Sequence, residues 1–283
     1  MTDTIADEQV PAAATSPRRA TTSASDAVGA DLLAGIAAWP LWAMLGWNDI
    51  RLRYRRSVLG PFWMTLSMAI FVVTLGFIYS RIFKMDIRTY LPFLALGFIL
   101  WGFVSTTLNE SGGAFLEGDR IIKQIRVPFS AFVFRVVWRN FIVLLHTIVL
   151  IVPIWIIFGM TPGLNSLLVV PGVALVYLNL AWAGIVVAIL STRFRDIPLI
   201  VATALQVTMF ATPIMWPVSS LGDYTLIADA NPFFHLIELV RAPLLGNAPA
   251  PLSWTVAIGL ALVGPVFAAL LMRRASRRIV YWL

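Results

Sequence analysis

The sequence predicts an all-α, polytopic membrane protein. It has six transmembrane helices, an N-terminal amphipathic interface helix and a re-entrant outer hairpin between spans 5 and 6. Three observations predict it. First, the charged residues are clumped. Between the clumps lie uncharged stretches of 24 (Ser57 to Ser80), 21 (Thr89 to Asn109), 53 (Asn140 to Thr192), 26 (Ile197 to Gly222) and 31 residues (Ala242 to Met272). A hydrocarbon core about 30 Å thick takes roughly 20 residues of apolar helix, so four stretches hold one crossing each and the longest holds two. Second, hydrophobic residues make up 59% of the 283 and charged residues 12%, with a mean hydropathy of +0.85. That composition excludes a soluble multidomain enzyme. Third, with the N-terminus inside, 17 Lys and Arg fall on the cytosolic side and 4 (Arg81, Lys84, Arg88 and Arg241) on the other. Positive charge marks the cytosolic face, so both termini are expected inside. The pI of about 10.4 then follows from topology and contact with anionic lipid, and no nucleic-acid partner is expected.

Taken in order, residues 1–30 are rich in Ala, Thr, Ser and Pro and read as a disordered cytosolic tail. No apolar run follows Arg18 and Arg19 before Leu32, so a signal peptide is not expected. Residues 31–56 place Leu32, Leu33, Ile36, Trp39, Trp42, Leu45 and Trp47 ahead of Asp49, Arg51, Arg53, Arg55 and Arg56. That order suits a helix lying in the interface with its indoles at headgroup depth. The six spans are Gly60 to Ser80, Leu91 to Leu108, Phe141 to Phe158, Leu167 to Leu190, Pro198 to Met215 and Trp254 to Met272, within a membrane domain of residues 57–283. The turn sequence GMTPGLN, Gly159 to Asn165, splits the longest stretch. No repeat of two similar three-span halves is visible, which weakens an inverted-repeat secondary transporter.

Two segments outside the spans stand out. Between spans 2 and 3, Ile121, Ile122 and Ile125 share a face at helical spacing while Arg120, Lys123 and Arg126 lie elsewhere. A short amphipathic helix ending before Pro128 is expected there, either solvated or docked to a partner. Between spans 5 and 6, Met215 to Ser253 carries Pro217, Pro232, Pro243, Pro249 and Pro251 around an apolar piece from Phe233 to Leu245 too short to cross. A re-entrant or interfacial hairpin is the expected form, tolerated at membrane depth where protein or a water-filled cavity satisfies its backbone. Glu238 and Arg241, three apart, are expected to pair there.

The chemistry the sequence withholds narrows function further. Neither Lys84 nor Lys123, the only lysines, follows a glycine, so the chain has no G-x-x-x-x-G-K-[ST] phosphate loop. There is no cysteine, and the only histidines, His146 and His235, have no clustered carboxylates, so no metal or other cofactor site is expected. For His146 a helix-interface role, bonded to a neighbouring hydroxyl, is favoured over a proton relay. Span interiors hold no Asp or Glu, which argues against an ion-coupled pump. A membrane-embedded transferase would need catalytic carboxylates, and Glu110, Glu117, Asp119 and Asp196 show no acid and base spacing. Aromatic residues abound in and beside the spans, most of them packing or interfacial, with faces that also stack on sugar rings.

Arg53-Tyr54-Arg55-Arg56-Ser57-Val58-Leu59-Gly60-Pro61-Phe62-Trp63 resembles the opening of ABC-2 type permeases that export lipid-linked polysaccharides such as O antigen, teichoic acid and capsule. Arg193-Phe194-Arg195-Asp196, Leu205-Gln206 and Thr212-Pro213-Ile214-Met215-Trp216-Pro217 are similar to that family's fifth span. Asn231-Pro232 with Arg241, and the ending Arg278-Ile279-Val280-Tyr281-Trp282, fit as well. The resemblance implies a homodimer in a bacterial cytoplasmic (inner) membrane, paired with two copies of a separate ABC ATPase that holds ATP and Mg. The substrate it implies is an undecaprenyl-type lipid-linked glycan. It places ATPase coupling at Glu117, Asp119, Arg120, Lys123 and Arg126, and the substrate path at Trp63, Thr65, Phe71, Thr203, Gln206, Phe210 and Trp216. The outer gate falls on Tyr224, Phe233, Phe234, Glu238 and Arg241. An ABC-2 permease for a smaller lipid or drug, or a non-ABC secondary transporter, stays open as the alternative.

Overall fold

The computed structural model describes residues 26–283 except 56, 59, 61 and 126. Most of the expected tail therefore lies outside the described residues. Among the described residues the chain is helical without strands, as an all-α polytopic membrane protein should be. It opens with α1 (Asp26–Ala37) and α2 (Trp39–Arg53), two helices where the sequence suggested one. The break falls at Ala38, beside Pro40 in the first turn of α2, where the missing N–H costs nothing. Both helices pack along α7 (Phe129–Ile148). Trp42 sits edge-on to Phe134 and Trp138, at 6.2 and 6.0 Å between centroids. Leu33, Ile36, Trp39, Met44 and Trp47 stay exposed.

Five helical segments are long and apolar enough to cross a membrane. They are α3 (Phe62–Ile82), α4 (Ile87–Ser111), α7 running on through α8 (Ile151–Phe158), a 3-10 turn at Leu164–Leu168 leading into α9 (Val169–Arg193), and α13 (Pro251–Trp282). The second, fourth and sixth expected spans fall within these helices, and the first, expected from Gly60, begins its helix at Phe62. The third begins at Phe129 instead of Phe141 and carries Arg135 and Arg139 into the helix. The expectation stopped at the last charge, whereas the protein pairs both charges and buries Arg139.

The expected fifth span, Pro198 to Met215, is cut short. Its helix, α10 (Ile197–Ala211), has 15 residues, about 22 Å at 1.5 Å per residue. Thr212 turns extended ahead of Pro213, which supplies no N–H and disfavours helix in the residue before it. The chain then runs through an irregular segment and the short α11 (Leu226–Asp229) into α12 (Pro232–Leu244). Asn231 caps α12, accepting from the Phe233 and Phe234 N–H groups at 3.0 and 3.4 Å.

The amphipathic helix expected at Glu117 to Arg126 is two pieces, α5 (Ala114–Glu117) and α6 (Asp119–Gln124), divided at Gly118. A Cβ on Gly118 would lie 2.6 Å from the Phe132 ring, so only glycine lets the turn rest there. Ile125 is extended (φ −132°, ψ 150°) and exposed, so it does not share the half-buried face of Ile121 and Ile122.

α4 is the axis of the molecule. Of its membrane-length stretch 78% is buried, against 11% for α3, and α3, α7, α9, α10 and α12 all pack on it. Beside it α9 and α13 pack closely along each other. A Cβ on Gly264 would come 2.1 Å from Trp182, so glycine is what lets the two helices meet. Asn179 adds a hydrogen bond from its Nδ2 to the Ala257 carbonyl at 3.1 Å and accepts from Trp182 Nε1 at 2.9 Å.

Candidate functional site

α3 lies on the periphery, only 11% of its membrane-length stretch being buried, and its first half faces a cleft of about 490 Å³ shared with α4 and α7. Trp63, Met68 and Phe71 supply one wall, Gly102 and Phe103 another, and Asn140 and Thr147 a third. Phe71 meets Phe98 edge-on at 4.9 Å, a geometry that fixes aromatic faces without filling the space between helices. Arg53 closes the cleft at the end of the molecule where most arginines gather, here termed the basic end. The walls are thus aromatic and mildly polar with one cation at the mouth.

The residues assigned to a substrate path are not brought into one cavity. Trp63 and Phe71 line this cleft. Thr65 turns away from it and donates to the His146 carbonyl at 2.9 Å. Thr203, Gln206 and Phe210 lie on the exposed face of α10, and Trp216 donates from Nε1 to the Phe210 carbonyl at 3.1 Å. α3 and α10 therefore present two separate faces, each held on α4. His146 bonds through Nδ1 to the Ile142 carbonyl of its own helix at 2.8 Å, not to a side-chain hydroxyl.

At the basic end a charge network ties α2, α4 and α7 together. Asp49 accepts from Arg135 Nε and Nη2 at 2.7 and 2.5 Å and from Arg139 Nη1 at 3.0 Å. Arg139 reaches on with Nη2 to Glu110 at 2.7 Å, and Glu110 also accepts from Asn140 at 2.7 Å and Arg53 at 3.2 Å. Arg139 and Asn140 are buried, so the carboxylates compensate a cation that would otherwise be costly at this depth. Asp31 of α1 adds a second tie, accepting from the Phe129 and Ser130 N–H groups at 3.0 and 3.2 Å. Those are orphan donors at the start of α7, and Pro128 ahead of them offers no side-chain cap. Sequence reasoning missed this network. The signal was the Arg135 and Arg139 pair, four apart and so on one helix face, which a topology count treats only as loop charge.

Of the residues assigned to ATPase coupling, Glu117, Arg120 and Lys123 are exposed, and Lys123 pairs with Asp119 at 2.7 Å. Arg126 lies outside the described residues. Together these make a small mixed-charge knob at the basic end.

At the opposite end, the outer-gate residues divide by burial. Tyr224 is exposed, Phe233 and Phe234 are half-buried, and Arg241 is fully enclosed. Arg241 pairs with Glu238 as expected, donating from Nε at 2.7 Å. Its Nη1 donates to the Pro213 carbonyl at 2.6 Å, and its guanidinium lies 4.1 Å from the Phe93 ring centre. Tyr90 donates to the Met215 carbonyl at 2.5 Å and Asn231 to the Thr212 hydroxyl at 2.8 Å. The carbonyls freed where α10 stops are thus satisfied by side chains from α4 and α12, as irregular backbone at membrane depth requires.

The described residues form a helical multi-pass membrane domain with a grooved, mildly polar wall. The ABC-2 type transporter family matches residues 40–245, and the chain belongs to that family. It is similar to an O-antigen export system permease protein RfbA of Klebsiella pneumoniae, 26% identical over 192 residues, covering 67% of this chain and 74% of that one. A protein of the same description from Myxococcus xanthus is 25% identical over 202 residues, covering 69% of this chain and 76% of its own.

Proposed function

We propose that this chain is the membrane-spanning permease subunit of an ATP-driven exporter that moves a lipid-linked polysaccharide of the O-antigen class outward across the bacterial cytoplasmic membrane. The observation that carries this reading is the likeness to O-antigen export permeases across two-thirds of the chain. ATP hydrolysis is assigned to a separate nucleotide-binding subunit, which holds ATP and Mg, since the sequence offers no phosphate loop. Two copies of that ATPase pair with two of this chain, and both termini of each chain are cytosolic. The basic end then faces the ATPase, with Glu117, Asp119, Arg120, Lys123 and Arg126 at the docking point.

Exposure supports a dimer. α3 leaves Phe62, Trp63, Ile70, Phe71 and Phe77 uncovered, and α10 leaves Leu199, Ile200, Val207 and Phe210 uncovered. Two copies that meet along these faces create a seam whose wall includes Trp63, Phe71, Thr203, Gln206 and Phe210. Symmetric pairing is the commonest closed assembly. Aromatic faces and isolated hydroxyls in such a wall let a hydrated sugar chain slide without being held by charge. Tyr224, Phe233 and Phe234 close its outer end, positioned by the Glu238 and Arg241 pair.

Deleting the gene tests this directly. Surface polysaccharide should vanish and lipid-linked glycan accumulate inside, with rescue by the intact chain only when the partner ATPase keeps its phosphate-loop lysine. The purified chain alone should hydrolyse no ATP and should co-purify with a soluble ATPase as a two-plus-two complex. Normal surface glycan in the deletion strain would overturn the proposal.

A further inference from the structure

We infer that the basic end of α13, together with the end of α9, forms a binding site for an anionic phospholipid, separate from the glycan path. The outward stripe of α13 changes character abruptly. Leu262, Val263, Val266, Phe267 and Leu270 are exposed and apolar, and one turn further on the same stripe becomes Arg273, Arg274, Arg277 and Arg278. These arginines stand at i, i+1, i+4 and i+5, which puts all four on one helix face.

The stripe borders two adjoining clefts. One, of about 690 Å³, is lined by the four arginines along with Phe267 and Leu270. The other, of about 400 Å³, lies between α9 and α13, where Arg193 and Trp282 face Arg274 and Arg278. Arg274 and Arg278 therefore line both. Arg193 is held in place by aromatic faces, 4.8 Å from the Phe194 ring centre and 5.6 Å from that of Trp282. Among the described residues no carboxylate forms a salt bridge with any of these five arginines, whereas every basic side chain of the α2, α4 and α7 network has one.

A concentration of unpaired guanidinium groups calls for an anion, and the planar fork of Arg suits a phosphate ester. Phe267 and Leu270 decide what carries that phosphate. They share the cleft with the arginines and continue the membrane-facing stripe, so the ligand has an apolar part alongside its anionic head. An acidic protein loop docked from the aqueous side would meet the arginines but would have no use for the apolar half. A phospholipid with its acyl chains along Leu262 to Leu270 and its phosphate among Arg273 to Arg278 meets both, with Trp282 at the headgroup level where indoles favour the interface.

The test uses the full-length chain in neutral detergent, offered equal amounts of phosphatidylglycerol and phosphatidylcholine with identical acyl chains, with bound lipid counted by native mass spectrometry. Phosphatidylglycerol should be retained at least about tenfold over phosphatidylcholine. The exposed double variant Arg274→Gln/Arg278→Gln should lower that retention about thirtyfold, which corresponds to about 2 kcal/mol at 1.4 kcal/mol per tenfold. Phe267→Ser/Leu270→Ser should lower it about tenfold. Arg81→Gln, a basic residue at the other end of the molecule, should leave it unchanged. Equal retention of the two lipids, or an equal loss in Arg81→Gln, overturns the site. So does full displacement by inorganic pyrophosphate with no effect of Phe267→Ser/Leu270→Ser, which marks a free-phosphate site. Unchanged lipid retention in Arg274→Gln/Arg278→Gln together with loss of a co-purifying ATPase overturns it too, because the arginines then serve a protein.

Discussion

Replacing Asp49 with Asn keeps the shape of the side chain and removes the charge on which two arginines converge. In the folded protein Asp49 receives three hydrogen bonds, two from Arg135 and one from Arg139. An Asn presents an NH₂ to at least one of those donors. Arg139 keeps Glu110, so the uncompensated cation is Arg135, whose side chain is 18% exposed against 15% for Asp49. Removing one partner of a buried ion pair costs about 3–5 kcal/mol. Residual solvent access at both groups puts Asp49→Asn near the lower end, about 3 kcal/mol. The assay is reversible unfolding of the purified full chain in mixed detergent, followed by far-UV circular dichroism, for Asp49→Asn, Arg135→Gln and the double variant. Because Arg135 and Asp49 form a bidentate pair, the double variant should be less destabilised than the sum of the singles, with a coupling of about 2 kcal/mol. Single losses that add to within about 0.5 kcal/mol would refute the reasoning, because the two groups would then be independent.

Other perturbations read other parts of the structure. Glu238→Gln leaves Arg241 enclosed without its counter-charge, and should cost about 3 kcal/mol in the same unfolding assay. Gly264→Leu forces a side chain into the Trp182 ring and should destabilise by at least about 1–3 kcal/mol, with partial recovery when Trp182→Ala is added. Tyr90→Phe removes the hydrogen bond to the Met215 carbonyl and should cost about 1 kcal/mol, visible as faster hydrogen exchange around residues 212–217. Phe71→Ala and Trp63→Ala together should reduce export of surface polysaccharide in cells while the chain still assembles with its ATPase. Unaltered surface glycan would return both rings to a packing role.

Much of this architecture was legible because a bilayer imposes a length on apolar helix, and charge is expensive within it. α3, α4, α9 and the first two-thirds of α13 fall largely where uncharged stretches fall, while α13 runs on past Met272 through four arginines. The pairing of Glu238 with Arg241 was legible too, because it is local to one helix turn. What escaped were features whose partners are far apart in sequence. Arg139 looks like loop charge until Asp49, 90 residues earlier, and Glu110, 29 residues earlier, are placed beside it. The cap on α7 depends on Asp31, 98 residues from Phe129, while the local sequence offers only Pro128. The halt of α10 needed the geometry of Pro213 and its neighbours, which hydropathy does not register because Thr212 to Trp216 remains uncharged. For the same reason hydropathy could not tell that α3 and α10 both pack on α4.

The brevity of α10 bears on the thickness of the membrane itself. A helix of about 22 Å is some 8 Å short of the hydrocarbon layer it would have to cross. Lipid pressed against it would have to thin, at a fraction of a kcal/mol for every ångström of shortfall. Where α10 faces another protein surface or water, no such deformation arises. A shortened wall also shortens the oily interval beside it. On the proposed path, sugars advancing along α10 would leave the low-dielectric zone several ångströms sooner than along a full-length span, reaching water where the clamped turn of Thr212 to Trp216 begins.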